Sequence, residues 1–252
     1  MSKIHFTVLT LFPEIVDNNV LSSITGRALN AGLFSYESIN IRDFATNKYG
    51  KIDDTLYGGG TGMLMQVEPV HAAWQSAQTA ASMRNSETKP RTLYLSPKGR
   101  VIDQALVNEL ALEQELILLC GHYEGIDDRV LAETEAEEVS LGDFVITGGE
   151  LAASILIDAV SRQIKDVLPN EAAFTEESHY AGLLECRQYS KPVVWRDRRV
   201  PDTLLSGHHK NIERWRYLDA LAETYKKRPD LFDKLDLSDV EIREMLEFIA
   251  KD

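Results

Sequence analysis

Three glycine-bearing segments have the residue types of a binding pocket built from main chain: Tyr94-Leu95-Ser96-Pro97-Lys98-Gly99, Cys120-Gly121-His122-Tyr123-Glu124-Gly125, and Ser140-Leu141-Gly142-Asp143-Phe144-Val145-Ile146-Thr147-Gly148-Gly149-Glu150. Glycine admits positive φ and close backbone approach, so such segments can aim N–H and C=O groups at a purine edge and at an amino-acid moiety. Taken singly, each reads first as a turn. A fourth segment, Asp53-Asp54-Thr55-Leu56-Tyr57-Gly58-Gly59-Gly60-Thr61-Gly62-Met63, places four glycines in five positions after two carboxylates. One reading is a mobile surface loop. The other is a loop ordered by a partner, because fixing so many glycines costs backbone entropy.

Charge is unevenly placed. The chain carries −13 over 252 residues, yet residues 187–228 hold eleven Lys and Arg against five Asp and Glu, leaving the rest of the chain at −19. A basic segment on an acidic body suits a polyanion, whose phosphates need cations facing them, although a solvated helix face has the same composition. Cys120 and Cys186 have no metal-ligand spacing and form no disulfide framework, and no apolar run approaches the ~20 residues of a membrane span, so a cytoplasmic protein is expected.

The elements that must position these loops follow from periodicity. Ile4 to Thr10 reads as an opening strand stopped by Pro13, with a helix following through Ile24 to Ala31. Thr92 to Leu95 and Leu116 to Cys120 have strand length, and between them Leu106, Val107 and Leu110 keep helical spacing behind an Asp103 N-cap. That βαβ rhythm predicts a parallel sheet, whose ligands bind beyond the carboxyl ends of its strands. Gly148-Gly149-Glu150 opens a further helix with Leu151, Ile155, Leu156, Ala159 and Val160 on its apolar positions, ending near Arg162. Residues 169–178 lose periodicity and read as a linker. Beyond it the pattern is mostly helical, with Ile212, Trp215 and Leu218 on one stripe, Arg214 and Arg216 outside it, and a Ser238-x-x-Glu241 capping box.

Together these segments give the chain a close resemblance to the bacterial tRNA (guanine-37-N1)-methyltransferases. The shared motifs run nearly end to end: Leu11-Phe12-Pro13-Glu14, Thr25-Gly26-Arg27-Ala28, Arg42-Asp43-Phe44, Asp53 to Met63, Tyr94 to Gly99, Gly121 to Asp127, Gly142 to Leu151, Asp158 to Arg162, Gly182-Leu183-Leu184, and Leu204 to His209 with Ile212 and Trp215-Arg216. The resemblance implies the trefoil-knot (SPOUT) class: an α/β domain at 1–168 with a parallel sheet and a C-terminal trefoil knot, a linker at 169–176, and a smaller, mostly helical tRNA-binding domain at 177–252. It implies a homodimer with active sites shared between subunits.

The same resemblance implies S-adenosyl-L-methionine held by Tyr94, Leu95, Ser96 and Pro97 of the first loop, Gly121, Tyr123 and Glu124 of the second, and Leu141, Gly142, Asp143, Phe144, Val145, Ile146, Gly148 and Gly149 of the third. Asp53, Gly58, Gly59, Gly60, Ser206, His208 and Arg214 are implied tRNA contacts. Methylation at N1 requires loss of the N1 proton, which a carboxylate can accept while a guanidinium stabilises the charge developing on O6. Arg162 matches the family's arginine, although at a helix C-terminus it would equally satisfy carbonyls. The family's base is an aspartate, and Glu177 stands at that position, one methylene longer. Thr55-Leu56 is a second departure from the usual arginine or proline. The family's usual target guanine follows another guanine, and Mg²⁺ supports its activity, but the sequence has no ligand cluster to place the ion.

Three rivals remain at this level. One is a knotted methyltransferase for another RNA position, against which the Asp53 to Met63 and Leu204 to His209 segments count. Another is a knotted RNA binder with weak or lost catalysis, which Glu177 motivates and three intact cofactor loops oppose. The third is an acidic nucleotide-using metabolic enzyme, against which no Gly-x-Gly-x-x-Gly follows the first strand.

Overall fold

The computed structural model describes residues 3–59, 61–85, 89–168, 178–179 and 182–251. The chain divides into two compact units, Met1–Pro169 and Asn170–Asp252. The linker expected at 169–176 lies outside the described residues.

In the first unit, β1 (His5–Thr10) leads through α1 (Pro13–Val20) and α2 (Ser23–Asn30) to β2 (Ser35–Asn40) and a 3-10 turn at Ile41–Phe44. A short hairpin, β3 (Asp53–Thr55) and β4 (Met63–Met65), precedes α3 (Val67–Arg84), β5 (Arg91–Val101), α4 (Gln104–Leu110) and β6 (Glu115–Cys120). Then come α5 (Asp128–Thr134), β7 (Glu137–Ser140) and α6 (Glu150–Ser161). The five-stranded sheet has the order β2-β1-β6-β5-β7, and every pairing in it is parallel.

Both faces of the sheet are covered, which is why the central strand β6 reads as a continuous apolar run through Leu116 to Cys120. In β6, Leu116, Leu118 and Cys120 face the cluster with Val16, Val107, Leu156 and Val160. Ile117 and Leu119 face Val70, Trp74, Ala77 and Val130 on the other side. Each such fully buried aliphatic side chain contributes roughly 1.5–3 kcal/mol over its exposed state. Trp74 donates Nε1–H to Thr92 Oγ1 at 2.9 Å, so its polar tip is satisfied inside the core.

The helix expected through Ala31 is two helices. α2 begins anew after Ser22, whose backbone is extended, and a Cβ at Gly26 would lie 2.2 Å from the Leu21 carbonyl oxygen. Only glycine lets the chain turn that tightly. The strand expected to end at Leu95 also runs on: β5 pairs Leu95 with Val139, bulges through residues 96–99, and pairs Arg100 with Val139 again. The excursion closes over Gly99, where a Cβ would sit 2.2 Å from the main chain of Glu138. Asp103 caps α4 by accepting the Leu106 N–H at 2.8 Å.

The second unit contains a hairpin of β8 (Val194–Trp195) and β9 (Arg198–Arg199), followed by α7 (Asp202–Leu205), α8 (His209–Lys227), α9 (Pro229–Phe232) and α10 (Asp239–Lys251). Leu221, Ala222 and Met245 form its buried centre, with Leu183, Phe232 and Phe248 packed around them. Trp215 is buried between the rings of Tyr189 and Phe248, at 6.2 and 6.0 Å, while Arg214 and Arg216 are exposed. Asp219, fully buried, accepts the Arg187 main-chain N–H at 2.7 Å and two guanidinium N–H groups at 2.8 and 2.6 Å. Ser238 and Glu241 exchange capping bonds at the start of α10. No described helix is long and apolar enough to cross a membrane.

Candidate functional site

Strands β5, β6 and β7 end side by side, so the segments after Leu95, Cys120 and Ser140 leave the sheet at its carboxyl edge. They enclose a cavity of about 240 Å³. Of the fifteen residues assigned to the cofactor from the sequence, Tyr94, Leu95, Ser96, Pro97, Gly121, Tyr123, Glu124, Leu141, Phe144, Val145, Ile146, Gly148 and Gly149 line it, whereas Gly142 and Asp143 do not.

The walls are local consequences of sequence. Ser96 Oγ donates to Glu138 at 2.5 Å and accepts the Lys98 N–H at 3.2 Å, shaping the first loop. In the second loop Tyr123 and Gly125 take positive φ, 59° and 115°. Asp127 then starts α5 by accepting the Arg129 N–H at 3.0 Å. A Cβ at Gly121 would sit 2.8 Å from the Tyr94 hydroxyl, so the phenol lies directly against the main chain there. Burial pushes the Tyr94 phenol above its ordinary value, against a hydrogen bond with the main chain of Ile126, and it is neutral at physiological pH.

The third loop turns on Gly142, whose carbonyl accepts the Phe144 N–H at 2.9 Å. Its other end is tied to the second loop by Gly149 N–H donating to the Gly121 carbonyl at 3.1 Å. Several lining residues carry no sequence signal: Glu138 of the edge strand, Leu131 and Ala152. They come from elements whose short or mixed patterns do not reveal which side chain faces the cavity.

The four-glycine segment is a hairpin at its base rather than a free loop. Asp53 pairs with Met65 and Thr55 with Met63. β4 is in turn joined to the second loop, with Glu124 N–H donating to Met63 O at 2.9 Å and Met65 N–H to Gly125 O at 3.0 Å. At the tip, Gly58 and Gly59 have positive φ of 88° and 80° with open space around them, and Tyr57 is fully exposed. Gly60 lies outside the described residues.

Arg162 is the C-cap residue of α6 and half-buried. Glu177 lies outside the described residues. In the second unit Ser206 Oγ donates to Thr203 O at 2.7 Å and accepts the His208 N–H at 3.2 Å, which fixes the turn into α8. Arg214 is paired with Glu244 and lies over the Tyr217 ring at 5.4 Å. A groove of about 450 Å³ on this unit is lined by Arg187, Tyr189, Lys191, Trp215 and Arg216 among others. Beside it in sequence, Trp195 is 55% exposed, with the Arg196 guanidinium 4.8 Å from its ring centre. Among the described residues no three His, Cys, Asp or Glu side chains lie together as a metal site would need.

Residues 4–234 match the family described as tRNA (Guanine-1)-methyltransferase TrmD. A tRNA (guanine-N(1)-)-methyltransferase of Ruminiclostridium cellulolyticum is 49% identical over 91% of this chain and 97% of its own length. Proteins of the same name from Alkaliphilus oremlandii and Vibrio atlanticus are 47% and 45% identical, covering 89% and 97% of this chain and 90% and 97% of their own lengths.

Proposed function

This chain belongs to the tRNA (guanine-1)-methyltransferase family, and from that premise we propose that it transfers a methyl group from S-adenosylmethionine to N1 of guanine-37 in tRNA, next to the anticodon. The observation that carries the reading is the cavity at the carboxyl edge of the parallel sheet, where three separate loops present main-chain groups around one space.

The donor set fits the cofactor. Main-chain N–H and C=O groups of all three loops suit a purine edge and an amino-acid moiety, while Leu95, Ile126, Leu131 and Ala152 supply apolar walls. When bound, S-adenosylmethionine supplies an electrophilic methyl group on a sulfonium. The chain's own residues then have two tasks at the guanine. Glu177 accepts the N1 proton, and the Arg162 guanidinium stabilises the negative charge that develops on O6. Both roles rest on the family resemblance. No step is assigned to Mg²⁺, because the described residues offer no ligand group to place it.

For tRNA, Asp53 at the base of the β3–β4 hairpin, Gly58 and Gly59 at its tip, and Gly60 of the same segment meet the substrate, and Ser206, His208 and Arg214 contact it from the second unit. The groove with Arg187, Lys191 and Arg216 offers cations to phosphates, and exposed Trp195 offers a face on which a base can stack. A homodimer belongs to the same proposal. α6 leaves Leu151 and Ile155 about half exposed, and Phe144 and Val145 before it are 57% and 81% exposed, an apolar strip suited to a second subunit. So does the trefoil knot, supported by the excursion of β5 around Val139 and the bond from Gly149 to Gly121.

The deciding experiment is transfer of labelled methyl from S-adenosylmethionine to unmodified tRNA, beside the same tRNA with guanine-37 replaced. Label in the first alone is expected, and no label in either would reject the activity. Wild-type turnover by Glu177→Gln would remove Glu177 from the base role. Neither the structure nor the comparisons support a binder that has lost catalysis.

A further inference from the structure

Directly behind the cavity wall lies a buried carboxylate to which the mechanism above gives no task. Glu150, the first residue of α6, is 2% exposed. Its Oε1 accepts the Thr10 hydroxyl at 2.6 Å, and His122 Nε2 lies 2.8 Å from both of its carboxylate oxygens. Thr10 Oγ1 in turn accepts the Phe12 N–H at 2.9 Å, and the Phe12 ring packs on the His122 ring at 5.0 Å. Burial alone would push the Glu150 carboxyl up, but the hydrogen bonds from His122 and Thr10 outweigh it and hold the group ionised.

These partners come from three places that the cavity needs in register: the end of β1, the second loop and the end of the third. Neither side chain lines the cavity, yet both sit against a residue that does. A Cβ on Gly148 would lie 2.5 Å from Glu150 Oε2 and 2.5 Å from His122 Nε2. Apart from this cluster, the second and third loops are joined by the main-chain bond from Gly149 to Gly121. One peptide bond pair is a hinge; adding a second attachment through the imidazole fixes the angle between the loops.

We propose that His122 and Glu150 are positioning residues that clamp the second and third loops at the spacing the cofactor requires, and so set cofactor affinity without touching the cofactor. The inference rests on the reading of this cavity as the S-adenosylmethionine site. The clamp is separable from folding because α6 is anchored independently by buried Ala153, Leu156, Ile157 and Val160. Misplacement on the order of 1 Å by a distant mutation can cost ~100-fold in rate, and by analogy loosening one attachment is expected to cost about 10- to 100-fold in cofactor affinity.

The test is calorimetric titration of the full chain with S-adenosylhomocysteine, with KM measured separately for cofactor and for tRNA. His122→Ala and Glu150→Gln are each expected to weaken cofactor binding about 10- to 100-fold while KM for tRNA stays within about threefold. His122→Arg, which restores two N–H donors to the carboxylate, should recover most of the affinity. The double variant should be no weaker than the weaker single one, as expected for two residues acting as one unit. Wild-type affinity in a folded His122→Ala protein overturns the clamp, as do losses that multiply in the double variant or no recovery in His122→Arg. If Glu150→Gln does not fold, the two His122 variants decide alone. Absence of binding by the unmodified protein would instead reject the cofactor reading.

Discussion

Glu124 donates its main-chain N–H to the carbonyl of Met63 at 2.9 Å, so the β3–β4 hairpin and the second of the three cavity loops share one hydrogen-bonded edge. Gly62, just before that contact, holds φ at +128°, and a Cβ there would lie 2.6 Å from Glu124 Oε1. Gly62→Ala is therefore strained in both backbone and space, by about 1–3 kcal/mol. The expected result is at least a tenfold fall in kcat/KM for tRNA, with the thermal midpoint lowered by roughly 2–4 °C for each kcal/mol of that strain. Unchanged tRNA kinetics would show that this edge does not transmit to the substrate.

Asp219 supports the second unit from inside. Asp219→Ala removes the buried acceptor of the Arg187 main-chain N–H and guanidinium, and because that guanidinium is a third exposed the cost is about 1–3 kcal/mol. Loss of tRNA binding with retained S-adenosylhomocysteine binding is expected. A protein that loses both together would contradict the assignment of separate tasks to the two units.

The exposed apolar residues on α6 give the proposed dimer a direct test. Leu151→Asp with Ile155→Asp adds charge where the free subunit already meets water, so the subunit's own fold should tolerate it. Sedimentation should then report half the native mass, with methyl transfer abolished. A dimer that persists at micromolar concentration would move the interface elsewhere.

Acid should act on the second unit through Glu241. Its carboxylate accepts the Tyr217 hydroxyl at 2.6 Å and the Ser238 hydroxyl and N–H at 2.7 and 3.0 Å. These bonds hold its pKa at about 2, below the ordinary 4.5. A folded value below the unfolded one means the contribution is complete above about 4.5 and lost as the pH falls toward about 2. Urea midpoints followed by tryptophan emission should fall over that window. In Glu241→Gln the fall should be shallower, and identical pH profiles would rule the group out.

Much of the site could be read in the residues themselves. β6 is covered on both faces, so burial leaves a continuous apolar run, and the segments after Leu95, Cys120 and Ser140 carry glycines where main chain approaches main chain. β2 and β7 escaped notice because Ser35–Asn40 and Glu137–Ser140 are edge strands rich in polar residues. The return of β5 to Val139 is a register effect with no local signal beyond Gly99. The break before α2 hides in a steric demand at Gly26 that periodicity does not register. The pairing of His122 with Glu150 joins residues 28 apart across two loops, and neither residue type announces it.

The strand order also bears on how the chain is made. His5 pairs with Glu115, and β6 enters the sheet between β1 and β5, both of which leave the ribosome before it. At ~5–20 residues per second, β1 waits about 5–20 s for its partner. During that interval β1 and β5 each carry an unpaired apolar edge in the nascent chain. The central strand thus enters after both of its neighbours, and until Cys120 has emerged their facing edges are open to pairing with other chains.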